Sequence, residues 1–398
     1  MQKVVMINRP ISPIPPRKGS AGEWWMIQVA KRLRSFELHI ISTSEPGYSA
    51  YEYCDGVHYH RISMGTNYKR IFIKWLGVDL YSYAARVAKI IRSLSPAIVH
   101  AVNAHALLLD VANRLHVRPR LISHLMNEFP ITSSGNVDLV ITCSEYLKGF
   151  YAPRLGAGTA IQTVYMGVDI QHFKRCAENH DALVSIRKQL GIPTSAKVIL
   201  FVGRVVAEKG PHLLLDAFGR LMSDGHPGYL VLVGEIRRDS KGSGDTRYLY
   251  GLRILSRCRE LGDRVKVVDV VEPGTVPLYY GLADVSVVPS VFEEPFGMVN
   301  IESMAAGVPV IASNKGGIPE YLIHGVNGLL IDEHRPVEDI AEKLCLLLSD
   351  EALAKRLREA GLKTAEQRFT WERIAADTEK AYAAVLSAEQ TYKESDHA

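Results

Sequence analysis

"KVILFVGRVVAEKGPHLLLDAF", residues 197–218, opens with a short apolar run rich in β-branched residues. Gly203 closes the run, two basic residues follow at 204 and 209, and a helix-period stretch begins after Gly210. A run apolar on both faces fits a strand of a parallel sheet covered by helices. The same order stands at the head of the chain: "KVVMI" (3–7), a Pro/Gly-rich loop, then "GEWWMIQVAKRLRS" (22–35). "FELHIIS", "AIVHAV", "RLISHLM" and "LVITCS" continue that first series as strands. From 197 a second series runs through "YLVLVG", a helix near "RYLYGLRILSRCREL", "RVKVVDV", "LYYGLA", "DVSVVPS", a helix after Gly297, "PVIAS" and "GLLID". Two such series predict an α/β chain of two Rossmann-like domains. The join is expected near "YMGVDIQHF" (165–173), where Gly167 interrupts the apolar pattern and a polar segment runs to about residue 195. The expected domains are therefore 1–168 and 169–370, with a helix over about 371–388 completing the first.

The 398 residues suffice for two domains with full cores. With 47% hydrophobic and 23% charged residues the chain falls in the globular range. A net charge of +4, with no basic tract interleaved with aromatics, gives no argument for nucleic acid. Cys54, Cys143, Cys176, Cys258 and Cys345 are scattered and form no C-x-x-C pair, which suits free thiols in a reducing compartment. "MQKVVMINRPISP" meets proline too soon for a signal peptide or a membrane span, so a cytoplasmic location is expected.

Ligands of open α/β sheets bind beyond the carboxyl ends of the strands. Arg204 and Lys209 stand on such a loop: a guanidinium can chelate two phosphate oxygens and an ammonium acts as a point charge, so the pair fits a diphosphate. The plain alternative is a solvated basic loop. Near the N-terminus, "RKGSAGEWW" joins the first strand to the first helix, and Gly19 and Gly22 allow close backbone approach to an anion. It is not G-x-G-x-x-G, so it carries little weight for a dinucleotide. Trp24 and Trp25 beside Lys31, Arg32 and Arg34 fit either a membrane-facing helix or, with better support from base rates, a helix packed on the sheet.

"EEPFGMVNIESMAAGVP" (293–309) reads as a helix entered at Gly297-Met298 and stopped by Gly307 and Pro309. The amides of Gly297, Met298 and Val299 would face an anion at the helix start. Glu294 in the preceding loop and Glu302 on the helix are poor phosphate ligands, because like charges repel. They suit hydroxyl donors: Glu302 the diol of a ribose, Glu294 the hydroxyls of a sugar, with a diphosphate between. The alternative for each acid alone is a turn residue and an exposed helix residue.

"FVGRVVAEKG", "YYGLADVSVVPS", "EEPFGMVNIESMAAGVPVIAS" and "GGIPEYLIHGVNGLLI" follow in this order, and with "YMGVD" and "FTWERIA" the chain resembles the retaining glycosyltransferases of family 4 over nearly its whole length. Within the family, "CDGVHYHRI", "ISHLMNEFP" and "FVGRVVAEKGPHLLL" look most like a spore-coat-associated glycosyltransferase. The resemblance implies the GT-B fold, two Rossmann-like domains whose parallel sheets face a central cleft. It implies a nucleoside diphosphate sugar as donor, UDP from family frequency, with no cofactor and no metal, in keeping with the lack of a D-x-D motif. It assigns the diphosphate to Arg204 and Lys209, beside Gly203, with Gly19 near the donor phosphates. Glu294 would meet the donor sugar, and Phe296, Gly297, Met298 and Val299 would meet sugar and phosphate through the backbone. Glu302 would hold the ribose, and Val271 would meet the base. Glu294, Arg204 and Lys209 are the expected catalytic groups.

One departure stands in "RLISHLMNE" (120–128). Relatives carry a histidine after this strand, near the transferred sugar, where this chain has Met126. Either His124, two residues earlier on the same strand face, replaces it, or the role is absent. His100 and His105 are other candidates. Asn127 and Glu128 are candidate acceptor ligands. The acceptor is not readable, though "NYKRIFIKWLGVDLYSY" (67–83) mixes bases and aromatics and would suit a sugar, a weak membrane or spore-coat contact, or a partly buried helix. The rival reading is a nucleotide-sugar-binding coat or structural protein that kept the fold without turnover.

Overall fold

The computed structural model describes residues 1–398 apart from 17–20, 64–81, 132–136, 157, 227, 241, 243 and 396–398, and side chains only to residue 388. The chain forms two compact units, Met1–Gly167 with Trp371–Ala398, and Val168–Thr370.

Among the described residues the first unit holds an eight-stranded sheet. In chain order its elements are β1 (Gln2–Asn8), α1 (Ala21–Ala30), β2 (Phe36–Thr43), β3 (Tyr51–Cys54), β4 (Val57–Ile62), α2 (Tyr83–Leu94), β5 (Ile98–Val102), α3 (His105–Ala112), β6 (Arg120–Leu125), β7 (Leu139–Thr142), α4 (Glu145–Tyr151) and β8 (Ala160–Thr163). The strand order is β3-β4-β2-β1-β5-β6-β7-β8. Only β3 runs antiparallel, as the outer strand of a hairpin with β4. Every residue of β5 and β7 is buried, as expected where helices cover both faces. β3, β4 and β8 are not marked in the sequence by an apolar run: the hairpin is polar and exposed on its outer strand.

The second unit starts with α5 (Ile170–Ala177) and α6 (His180–Leu190). The polar segment expected to reach about residue 195 thus holds two helices that the sequence pattern did not mark. The segment is polar but well capped. Asp169 accepts from the His172 amide, Asn179 accepts from the Ala182 amide, and Gly191, in the left-handed region, closes α6. Then come β9 (Val198–Val202), α7 (Pro211–Ser223), β10 (Tyr229–Val233), α8 (Thr246–Glu260), β11 (Val265–Val268), α9 (Val276–Leu282), β12 (Val285–Val288), α10 (Met298–Ala305), β13 (Val310–Ser313), β14 (Leu329–Ile331), α11 (Pro336–Ser349) and α12 (Glu351–Arg368). The sheet is wholly parallel, in the order β11-β10-β9-β12-β13-β14. Ile199, Phe201, Leu214, Phe218, Leu232, Val287, Ile311 and Leu357 form part of its core. Each such side chain stabilises the unit by about 1.5–3 kcal/mol.

The last helix, α13 (Trp371–Ser395), belongs to the first unit. Tyr382 is fully buried there, its ring edge-on to Phe36, and its hydroxyl lies 2.7 Å from His100 Nδ1. Arg32 of the segment after α1 pairs with Glu372 at 2.9 Å. All five cysteines are free thiols. Among the described residues, no helix is long and apolar enough to cross a membrane.

Candidate functional site

The loops that matter leave the carboxyl ends of adjacent strands of the second unit. Gly203 follows β9 and donates its amide to Val233 O at 2.9 Å. A Cβ on Gly234 would stand 1.9 Å from Gly203 O, so only glycine lets the ends of β9 and β10 approach this closely. Arg204 is exposed, and among the described residues its guanidinium makes no ion pair. A single 3-10 turn, Ala207–Lys209, then ends at Gly210 with φ +66°. A Cβ on Gly210 would lie 1.9 Å from Pro289 O. That contact holds the Lys209 loop against the segment that follows β12.

Lys209 Nζ lies 2.6 Å from Glu294 Oε2 and 4.8 Å from the Phe292 ring centroid. Ser290 Oγ donates to the same carboxylate oxygen at 3.1 Å. Glu294 is only 8% exposed, and a carboxylate so placed needs a cation and a donor to offset its lost hydration. The segment is braced from the loop after β13: Gly317 donates to Glu294 O at 2.8 Å and Gly316 donates to Glu293 Oε2 at 2.6 Å. Lys315 bridges Glu293 and Glu333.

Gly297, with φ +88°, is the N-cap of α10 and supplies no side-chain acceptor. Among the described residues the amides of Gly297, Met298 and Val299 have no acceptor in the protein. The positive end of the helix is therefore open to an anion. The carbonyls of the same turn are directed elsewhere: Tyr321 Oη donates to Phe296 O at 2.7 Å and lies 3.1 Å from Gly297 O, while Asn300 Nδ2 donates to that hydroxyl at 3.1 Å. The Phe296 ring is buried against Tyr321 and Phe369, so Phe296 can meet a ligand only through its backbone.

Glu302, half-buried in the second turn of α10, accepts from Tyr280 Oη at 3.0 Å. Burial pushes its carboxyl above the usual range, and the Tyr280 hydrogen bond pulls partly the other way. Val271 is half-buried just past the end of β11. Lys209 and Glu294 are thus in direct contact. Gly203, Arg204, Val271 and the start of α10 follow the ends of β9, β11 and β12, while Glu302 is engaged separately by Tyr280. Tyr280, Ser290 and Tyr321 escaped the sequence reading, because each looks like an ordinary core or turn residue until its hydroxyl is placed.

The first unit corrects one assignment. His124 has no exposed surface: its ring lies edge-on to Trp25 at 4.5 Å and stacks near His100 at 5.4 Å. Both its ring nitrogens are buried without a partner, and desolvation, with His100 beside it, holds its pKa well below the usual value. It is a core residue and does not replace the histidine expected after this strand. His100 is equally buried, its pKa lowered by desolvation to about 3. Met126 is buried too; its amide donates to Asn103 Oδ1 at 2.9 Å and its sulfur borders Gly22. Trp25 is fully buried and Lys31 pairs with Asp55, so the face of α1 that carries Trp25 packs on the sheet. Asn127 and Glu128 are exposed just after β6, with Glu128 bonded to Tyr146. Gly19 and nearly all of 67–83 lie outside the described residues.

Comparison with known proteins agrees with this architecture. The family described as glycosyl transferases group 1 matches residues 185–364, and a glycosyl transferase 4-like family matches residues 19–147. The chain is 31% identical over 379 residues to lipopolysaccharide 1,2-N-acetylglucosaminetransferase of Salmonella typhimurium, covering 94% of this chain and 96% of the relative. It is 29% identical to spore coat protein SA of Bacillus subtilis, covering 96% and 99%. Among solved GT-B structures, sucrose-phosphate synthase of Thermosynechococcus elongatus aligns with a TM-score of 0.76 at 22% identity, over 97% of this chain and 100% of that one. Anabaena HepE, in complex with UDP-glucose, aligns with a TM-score of 0.74 at 21% identity, over 98% and 100%. With the relative from Salmonella matched along nearly its whole length, the chain belongs to the group 1 glycosyl transferases and has the GT-B fold.

Proposed function

We propose that the protein is a retaining, metal-independent glycosyltransferase that moves a hexosyl group from a nucleoside diphosphate sugar, UDP first among the bases, to an acceptor hydroxyl. The observation that carries this reading is the Lys209–Glu294 pair on the segment that leads directly into an uncapped helix start at Gly297–Val299. The bond from the anomeric carbon to the diphosphate oxygen breaks, and the acceptor oxygen bonds to that carbon on the same face. The proton of the acceptor hydroxyl passes to the departing phosphate, so no protein nucleophile is needed. Arg204, Lys209 and the open amides stabilise the charge that grows on the leaving group. Lys209 exchanges its contact with Glu294 for phosphate oxygens, and this releases Glu294 to accept sugar hydroxyls. Glu302 takes the ribose diol through the oxygen not bonded to Tyr280. No cofactor enters this scheme.

UDP is proposed from the family resemblance, and the Anabaena fold neighbour holds UDP-glucose in its own crystal. The second reading, a nucleotide-sugar-binding protein without turnover, draws on the burial of His124, which leaves Met126 in the histidine position. A screen of UDP-, GDP- and ADP-sugars by thermal shift and by release of free nucleotide separates the two. The transferase reading requires a shift with one base and slow donor hydrolysis that EDTA leaves unchanged. A shift without any released nucleotide favours the binding protein, and no shift with any of the donors removes both.

A further inference from the structure

The side of the first sheet that ends in the β3–β4 hairpin carries a cluster that sugar transfer does not use. Glu37 and His39 stand two apart on β2, and His58 and His60 two apart on β4, so each pair shares a face of its strand. The parallel register sets His39 beside His58. The antiparallel pairing of the hairpin sets Tyr53 opposite His58 and Tyr51 opposite His60. Three histidines, one carboxylate and two tyrosines are thus brought together by strand register alone.

We propose that Glu37, His39 and His58 bind one borderline divalent cation of the zinc class, through a Glu37 oxygen and the Nε2 atoms of both rings, with water in the fourth position. Donor atoms on a tetrahedral ion with bonds of about 2.0–2.1 Å lie about 3.3 Å apart. Here Glu37 Oε1 is 3.0 Å from His39 Nε2 and 3.9 Å from His58 Nε2, and one donor atom from each residue lies within 4.8 Å of the other two. Two imidazoles and one carboxylate suit zinc and disfavour calcium or magnesium, which take oxygen ligands.

The outer contacts strengthen the assignment. A metal-bound imidazole has its second nitrogen protonated and held by a partner. His58 Nδ1 lies 2.8 Å from Tyr51 Oη, and His39 Nδ1 lies 3.1 Å from His60 Nε2. In the free protein His39 Nε2–H can donate to Glu37. When the ion takes Nε2, that ring's proton moves to Nδ1 and donates to His60, whose own proton sits on Nδ1. Each ring keeps one proton, so the exchange needs no net deprotonation. Entry is open, because the side chains of Glu37 and His58 are 36% and 24% exposed. The ion would tie β4 to β2 and, through Tyr51, would tie the exposed outer strand β3 to both.

The test is zinc calorimetry on the full chain after chelator treatment, with cobalt absorption as the report on tetrahedral geometry. Cys345 Sγ lies 3.3 Å from His226 Nε2 and is a second place for zinc, so a Cys345→Ser background is used throughout. One equivalent should bind in that background and be lost in His58→Ala and in Glu37→Gln. His60→Ala and Tyr51→Phe should bind about 10–100-fold more weakly, as loss of outer-shell partners does. Zinc should raise the melting temperature of the background protein and leave His58→Ala unchanged. Should His58→Ala fail to fold in chelator, Glu37→Gln carries the test. Zinc binding that is absent from the background protein, or undiminished in the two ligand variants, overturns the assignment.

Discussion

Lys209 and Glu294, 85 residues apart in the chain, meet at 2.6 Å, so the cation assigned to the donor phosphates is held by the acid assigned to the donor sugar. Each compensates the other's charge, and under the proposed function the diphosphate displaces the contact. Lys209→Ala should therefore cut initial rates by about 10²–10³-fold, the scale of losing one stabiliser of developing charge. It should also lower stability by about 1–3 kcal/mol, because Glu294 is left partly buried without its cation. Steady-state kinetics and urea unfolding read the two effects. Full turnover in Lys209→Ala would remove the leaving-group role.

Glu294→Gln keeps the shape of the loop and frees Lys209 from its carboxylate. Binding of the bare nucleoside diphosphate should hold or tighten, while transfer falls because the amide is a poorer acceptor for sugar hydroxyls. Calorimetry with the diphosphate, set beside rates with the sugar donor, separates these outcomes. A parallel loss of both would mean that Glu294 acts only as a structural brace for Lys209.

Glu302 gives the pH dependence. Its folded pKa is raised by burial above the unfolded value. An acid shifted this way binds more protons in the folded state. Its contribution to stability is therefore complete below the unfolded pKa and falls as pH rises through the raised folded value. Under the proposed function donor binding should run the opposite way, since it is the ionised carboxylate that would accept the ribose hydroxyls. Tyr280→Phe removes the hydrogen bond that lowers this pKa, so the rise of diphosphate affinity with pH should move to higher pH. Calorimetric titrations across a pH series should find the two midpoints apart; coincident curves would detach Glu302 from the ribose.

Gly210→Ala tests the placement of the loop. The left-handed φ alone costs about 1–2 kcal/mol for a residue with a side chain. The new methyl would also meet Pro289 O at 1.9 Å, so the Lys209 turn has to move. A fall in melting temperature together with weaker diphosphate binding is expected, whereas Gly225→Ala, which has open space around it, should show only the first.

His124→Leu checks the corrected histidine. Its ring nitrogens are already buried and unpartnered, so an apolar replacement of similar size relieves a desolvation cost. Stability should hold or rise, and turnover should stay within about threefold, the scale of a change under 1 kcal/mol. A rate loss of several orders in a folded variant would return His124 to the chemistry.

The sequence by itself determined the α/β class, the repetition of the sheet-and-helix series, and the run from Glu294 to Glu302, because strand runs, glycine breaks and helix starts are local properties of neighbouring residues. It left α5 and α6 unseen, since their stability rests on caps and their composition is polar. It also left the β3–β4 hairpin unseen, since a polar edge strand has no apolar signature. Which side chains meet was decided only in three dimensions. Tyr280 reaches Glu302 and Tyr321 reaches the Phe296–Gly297 turn through strand order and helix packing, which no short window contains. His124 shows the reason most plainly. In a parallel sheet covered on both faces, alternation along a strand does not tell a sealed position from an open one, and it was Trp25 of α1 that sealed this one.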